Sequence, residues 1–320
     1  MLELNTDKYK NVYVIGDCIR DIYKFVTVNP AISNKNFCLS TTHVDGDLES
    51  HDGGTKAIYE NVISLLKDFT NRSELNVKYY HSNNIVEKIR FVEKTKNQTL
   101  FEMQQLTDSF SVGIPQFDEM KNSIILLCDF GHGYFDNRML FDIFHNLDFD
   151  TNYVALMCQT NSSNYGFNTF RKWINLSTFL NEDNETICPF DFVSCNLQEA
   201  RLAFPLQKDI NVTELVELIQ HFLCNRKDRT TTTILTNKKN GLYISYEGNV
   251  LNHFQFNKDQ SKVVDATGCG DIVFLLGTLL QSILYRERSV DTLCSYIEKG
   301  AYWKTQHLGN KKLITISDIL

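Results

Sequence analysis

The chain has 320 residues, of which 42% are hydrophobic and 22% charged, and it carries a formal net charge of −7. That length and apolar content suffice for a large buried core and argue against disorder. The acidic balance, without any basic run, argues against nucleic-acid binding, and no stretch reaches the ~18 apolar residues that a membrane helix needs.

Nine cysteines stand at 18, 38, 128, 158, 188, 195, 224, 269 and 294. The number is odd, no Cys-x-x-Cys occurs, and several lie in apolar runs. The expectation is a set of reduced, mostly buried thiols in a cytoplasmic protein, with neither a disulfide framework nor a zinc site. The N-terminal run MLELNTDKYKNVYVIGD lacks the apolar centre of a signal peptide.

In chain order the pattern predicts a strand over 11–17, a helix over 56–69, a strand over 123–131 and a helix over 139–147. Strands over 152–159 and 190–196 follow, the second leading into the helix-like LQEARLAF. A helix over 212–224, strands over 231–237 and 241–246, and two closing helices over 271–285 and 290–306 complete the chain. Repeated strand–helix units imply a mainly parallel sheet covered on both faces, here one α/β domain over 1–320. Ligands of such sheets gather at the carboxyl ends of the strands, which singles out Gly16-Asp17, Asp129, Gln159 to Asn168, Asn196 and Thr236-Asn237.

Two stretches, 23–48 and 85–106, break this rhythm and predict extra strands that project as a small β lid. On the second, Lys88 and Arg90 lie two apart and share one face. They form either a phosphate clamp or a solvated strand face. Ile89, Phe91 and Phe101 supply an apolar face that needs cover.

The densest chemical signal is VVDATGCGDIVFLLGTLL, 263–280. A β-rich run ends at Asp265, and Thr267-Gly268-Cys269-Gly270-Asp271 then turns into an apolar helix. Glycines flanking one small residue permit the tight turn, and the free N–H groups at the helix start suit an anion. Asp271 is then either a carboxylate beside that anion, able to take a proton from an attacking hydroxyl, or an N-terminal cap. Neither GxxxxGK[ST] nor GxGxxG occurs.

Asp-Ala-Thr-Gly-Cys-Gly-Asp resembles the second signature of the PfkB (ribokinase-like) carbohydrate kinases, D-x-T-G-A-G-D, with Cys269 in the alanine position. The resemblance continues in order along the chain. Val14-Ile15-Gly16-Asp17 with Asp21-Ile22-Tyr23 is similar to the start of the heptose-phosphate kinase branch, G-D-x-x-x-D-x-Y. Gly53-Gly54 before a helix is similar to the family's first, sugar-side signature, and KIRFVEKTKNQTLFEM to its lid. LLCDFGHGYF resembles the branch's S-D-Y-x-K-G strand and loop, with His132 in place of the lysine. Asn196-Leu197-Gln198-Glu199 matches N-x-x-E, ILTNKKNGLYI the T-x-G-x-x-G strand pair, and HLGNKKLITISDI the closing segment.

The resemblance implies a ribokinase-like three-layer sandwich that transfers the γ-phosphoryl group of ATP to a sugar or sugar phosphate, with heptose 7-phosphate as the nearest acceptor. It implies Asp271 as base and Gly268, Cys269 and Gly270 as the anion hole. Asn196 and Glu199 would organise Mg²⁺ through water, Thr236, Gly241 and Thr267 would serve the nucleotide, and Asp17 the acceptor's hydroxyls. It further implies a homodimer formed through the lids and a separate nucleotidyltransferase in the same pathway. Around the Gly-Gly segment the pattern departs: Lys56 and Ala57 stand near the place of a sugar-contacting asparagine, with Asn61 one turn on. Lys56 is either a substrate contact or a solvated helix lysine. The loop QTNSSNYGFN replaces Asp-Pro-Lys-Gly, and Asn161, Asn164 and Asn168 there either bind polyol hydroxyls or stabilise their own turn. A kinase for another ketose, polyol or nucleoside, and a ligand-binding relative without turnover, are the alternatives.

Overall fold

Successive apolar residues of the central strands point alternately to two faces, and this period of two builds two separate cores. In β5 (Ser123–Asp129), Ile124, Leu126 and Cys128 pack into one core while Ile125 and Leu127 pack into the other. The same division occurs in β1 (Asn11–Val28), with Val12 and Val14 opposed to Tyr13 and Ile15, and in β6 (Tyr153–Cys158). Successive strand side chains point to opposite faces, so a strand apolar at every position is covered on both.

The computed structural model describes residues 8–28, 41–67, 75–95, 98–108, 114–160, 168–179, 189–205, 210–224, 231–246, 249–254, 262–284 and 289–320. One core is closed by α1 (Gly54–Lys67), α6 (Cys269–Leu279), α7 (Val290–Thr305) and α8 (Ile316–Ile319). The other is closed by α2 (Asn137–Asn146), α3 (Arg171–Phe179), α4 (Leu197–Ala203) and α5 (Val212–Leu223). The remaining strands are β2 (Thr41–Gly53), β3 (Asn76–Glu93), β4 (Gln98–Asp108), β7 (Phe192–Asn196), β8 (Thr232–Thr236), β9 (Leu242–Tyr246) and β10 (Asn249–Phe254). The order is β10-β9-β8-β7-β6-β5-β1-β3-β4, with β2 also on β1. Pairing is parallel from β8 through β3 and antiparallel for β9, β10, β4 and β2. This is an α/β fold with a mostly parallel central sheet.

The first strand departs from expectation. It does not stop at Asp17 but runs on to Val28, paired with β3 almost throughout, with a register shift between Gly16 and Cys18. Below the shift its other neighbour is β5; from Ile19 onward it is β2. The lid is therefore the continuation of the main sheet, ordered β2-β1-β3-β4. Residues 23–28 and 41–48 lie in β1 and β2, and 85–106, apart from Lys96 and Asn97, in β3, the turn after it and β4; 29–40 fall outside the described residues. Asp17, expected at a strand end, lies inside the longer strand, and both it and Asp21 are buried with partners from other elements.

Cys18, Cys128, Cys158, Cys195, Cys224, Cys269 and Cys294 are free thiols, and Cys38 and Cys188 lie outside the described residues. Among the described residues no helix is long and apolar enough to cross a membrane.

Candidate active site

A cleft of about 1080 Å³ runs from the inner face of the lid, across the start of α6, to the carboxyl ends of β6, β7 and β8. Its floor is the Thr267–Asp271 turn. Gly268 caps α6 with φ +78°, a left-handed conformation that a side chain would strain. Asp265 ties this turn to the C-terminal segment: one carboxylate oxygen accepts the Thr267 N–H and the other the Gly309 N–H, each at 2.9 Å. Cys269 donates weakly to the Ala301 carbonyl at 3.6 Å, and burial pushes its thiol up to about 12, so it stays protonated.

Asp271 stands in the first turn of α6, half-buried, and accepts a hydrogen bond from Gln159 Nε2 at 2.5 Å. Burial pushes its carboxyl up to about 6. The Gln159 bond and the positive charges of Lys304 and Lys88 act in the opposite direction, and Asp21 adds to the rise. A carboxylate held there is ionised at neutral pH and still able to take a proton.

At the lid end, the cleft-facing residues are cross-strand neighbours. Asp21 pairs in register with Lys88, Tyr23 with Arg90, and Arg90 with Glu102. Arg90 bridges Asp21 at 2.5 Å and Glu102 at 2.9 Å, and also reaches the Tyr23 hydroxyl at 3.3 Å. Lys88 is 9% exposed and forms no direct ion pair or hydrogen bond among the described residues. Burial lowers its pKa, while Asp21, Glu102 and Asp271 raise it and Arg90 lowers it further. The Gly-Gly pair has a steric cause: a side-chain carbon on Gly53 would sit 2.4 Å from Asp21 Oδ2.

At the far end Asn196 caps α4 and forms a reciprocal capping box with Glu199. One Glu199 oxygen accepts the Asn196 N–H at 2.7 Å, and the other the Thr160 N–H at 3.1 Å. Burial pushes its carboxyl up to about 7, against the pull of these N–H groups. Thr236, Asn237, Lys238, Thr267, Tyr302 and Thr305 complete this end.

No protein-family model and no curated protein sequence matches the chain. Solved structures do. The nucleoside kinase of Methanocaldococcus jannaschii, described as an archaeal member of the ribokinase family, superposes with a TM-score of 0.60 at 13% identity, over 98% of this chain and 97% of that one. Ribokinase from Thermotoga maritima gives 0.61 at 12% identity, covering 97% and 98%. A phosphofructokinase-2 mutant from Escherichia coli gives 0.61 at 9% identity, covering 97% and 96%. The chain has the ribokinase-like fold.

Within this ribokinase-like fold the expected site residues separate into two groups. Asp271, Gly268, Cys269, Gly270, Gly54, Lys88, Arg90, Asn196, Glu199, Thr236 and Thr267 all line the cleft, and Gly53 backs it against Asp21. Several others are engaged elsewhere. Asp17 is fully buried behind the loop after β5, where it accepts the N–H groups of Phe130 at 2.9 Å, His132 at 3.3 Å and Tyr134 at 3.1 Å. Lys56 pairs with Asp52 at 2.6 Å in a second hollow beside Cys18 and Tyr79. Asn61 donates to Ala57 O and accepts the Ile314 N–H at 2.9 Å, pinning the C-terminal segment. Asn168 is buried and donates to Asp129 at 3.1 Å and to Gln159 O at 3.0 Å. Gly241, at φ +94°, closes the turn between β8 and β9. Asn161 and Asn164 lie outside the described residues.

Two cleft residues, Asp21 and Gln159, and the buried Lys304 beside the Gly268 turn carry no assigned role in the sequence. Asp21 was visible in Asp-x-Tyr, and Gln159 in its place just after a strand. Nothing local marks Lys304.

Proposed function

We propose that the chain is an ATP-dependent kinase that phosphorylates a hydroxyl of a sugar, sugar phosphate or related small molecule. The observation that carries this reading is Asp271: an ionisable carboxylate beside a glycine-rich helix start, midway along one cleft whose two ends differ in chemistry. The lid end, with Asp21, Lys88 and Arg90, suits a polyol acceptor. The far end, with Asn196, Glu199, Thr236 and Tyr302, suits a nucleotide.

The acceptor hydroxyl then lies against Asp271. Its oxygen forms the new bond to the γ-phosphorus as the bond to the β-phosphate oxygen breaks. Its proton passes to Asp271, and ADP carries away the electron pair. The N–H groups of Gly268 and Gly270 would meet the charge that spreads over the phosphoryl oxygens, while that of Cys269 donates weakly to the Ala266 carbonyl at 3.3 Å. Asp21, held by Arg90, is the carboxylate placed to accept the acceptor's hydroxyls, in place of Asp17.

Among the described residues no cluster of three or more metal-ligating side chains occurs. Glu199 retains lone pairs beyond its two N–H bonds, which fits an ion held chiefly by phosphates and water. A magnesium ion so bound would neutralise phosphate charge, with Glu199 and Asn196 orienting its waters. Glu199→Gln preserves the capping box, since glutamine also serves at that position. The Thr160 N–H then faces the amide N–H₂ in place of a carboxylate oxygen, so the variant is expected to fold with a modest loss of stability, turn over more slowly and need more Mg²⁺; an unchanged Mg²⁺ dependence in a magnesium titration contradicts the role.

Heptose 7-phosphate remains the nearest acceptor by resemblance, and its product suits a separate nucleotidyltransferase. The clamp of Lys88 and Arg90 reduces to Lys88, because Arg90 is already committed to Asp21 and Glu102. Lys88→Ala is expected to raise KM for a phosphorylated sugar about tenfold more than for its neutral counterpart, the scale of one charge-assisted hydrogen bond. Equal losses on both would remove the phosphate contact and leave the kinase.

On the outer lid face Phe91 stacks on Phe101 at 4.2 Å, with Ile89 beside them and Leu48 and Met103 49% and 45% exposed. Such a surface supports a homodimer through the lids. Sedimentation at micromolar concentration is expected to give a dimer, and a monomer refutes it. The reading as a whole is tested by screening sugars, sugar phosphates, polyols and nucleosides for acceptor-dependent ADP release.

A further inference from the structure

Lys304 lies in the last turn of α7 and is 2% exposed, among the largest fully buried side chains of the protein. An ammonium carries three N–H donors. One goes to the Gly309 carbonyl at 2.5 Å, and among the described residues the ammonium forms no ion pair. Burying a cation without a directly bound carboxylate is costly, and such a group persists where its charge has a use. The direction of the side chain points to that use. A side-chain carbon on Gly268 would lie 3.1 Å from Lys304 Cε and 3.7 Å from Asp271 Oδ2. The lysine and the carboxylate therefore both lie beside the glycine of the turn, together with Asn310 Oδ1, which that carbon would meet at 3.2 Å.

We infer that Lys304 supplies a fixed positive charge beneath the Gly268–Cys269–Gly270 turn, so that the turn holds a phosphoryl group by charge as well as by backbone N–H groups. The inference rests on the proposed role of that turn as the phosphoryl site. Lys304 acts through the turn and is a positioning residue. Its field adds to that of the α6 N-terminus. The charged or titratable groups acting on it are Asp265, Asp271 and Cys269 from the turn and Asp21 from β1. Those facing Asp271 from the other elements are Lys88 of β3, Cys128 of β5 and Glu199 of α4, with Gln159 hydrogen-bonded to it from the end of β6. Lys304 and Lys88 are the cations of this set. Removing Lys304 is therefore expected both to loosen the anion and to make Asp271 easier to protonate.

Lys304→Gln removes the charge and keeps an N–H donor, one bond shorter, on the side of Gly309 O. Two readouts need no turnover: the affinity for inorganic phosphate, and the titration midpoint of Asp271 followed by carboxyl carbon NMR. In the glutamine variant, phosphate binding is expected to weaken about tenfold and the midpoint to rise by about one pH unit, the scale of losing a nearby opposite charge. Wild-type values for both would reduce Lys304 to a structural tether and overturn the inference, as would wild-type protein that binds no phosphate. Should the variant not fold, the wild type answers with nitrogen NMR of Lys304: phosphate is expected to raise the pH at which its ammonium titrates, and an unmoved titration overturns the inference. A wild type that binds phosphate as expected but transfers nothing from ATP would instead remove the kinase reading.

Discussion

Asp271→Asn is expected to lower kcat by at least ~10²-fold, the scale of a lost general base, with ATP affinity nearly unchanged. The loss corresponds to about 2.7 kcal/mol of transition-state stabilisation. The amide is close to isosteric and its oxygen still accepts the 2.5 Å bond from Gln159, so the cleft keeps its shape. The variant lacks only a site for the acceptor's proton. The pH profile adds a second signature. The base acts when ionised, and burial holds Asp271 at about 6, so wild-type kcat is expected to fall as pH drops through 6 and to level off above it. Glu199, pushed up to about 7, titrates nearby, and the asparagine variant distinguishes the two: a limb near 6 that survives in its residual activity would assign the limb elsewhere. Turnover near that of the wild type would remove Asp271 from the chemistry.

Asp17→Ala is expected to destabilise the fold by about 3–5 kcal/mol, because it strands the N–H groups of Phe130, His132 and Tyr134 in a buried site. These bonds hold the loop after β5, and the carboxylate has no exposed surface through which to meet a substrate. A urea titration should show a lower midpoint with little change in slope. Protein that remains folded should keep its KM for the acceptor within a few-fold. Unchanged stability with a raised KM would return Asp17 to the acceptor site and displace Asp21.

These two aspartates also show where the sequence stops being informative. The chemistry of 265–271 is legible because it is local: two glycines, a small residue and an acid at a helix start carry their geometry with them. The two cores are legible for a similar reason, since a short run apolar at every position, such as that of β5, fits a strand covered on both faces. The contrast between Asp17 and Asp21 is not local. Both belong to one Gly-Asp-x-x-x-Asp-x-Tyr run, and the register shift between Gly16 and Cys18 helps decide which faces the cleft. Strand-end placement favoured Asp17, but β1 passes straight through into the lid. Asn61 fails in a similar way. Its helical position is predictable, whereas its partner, the Ile314 N–H, is 253 residues away. Lys304 reads as an ordinary lysine at a helix end until α7 is packed beneath the Gly268 turn.

The most direct test follows the label of γ-labelled ATP in a single turnover, with an acceptor whose binding is shown independently by a thermal shift. Label is expected to appear on an acceptor hydroxyl in step with ADP, and Asp271→Asn is expected to slow the transfer by at least ~10²-fold while still binding both ligands. Label recovered only as inorganic phosphate, or a bound acceptor that never becomes labelled, would contradict the kinase reading.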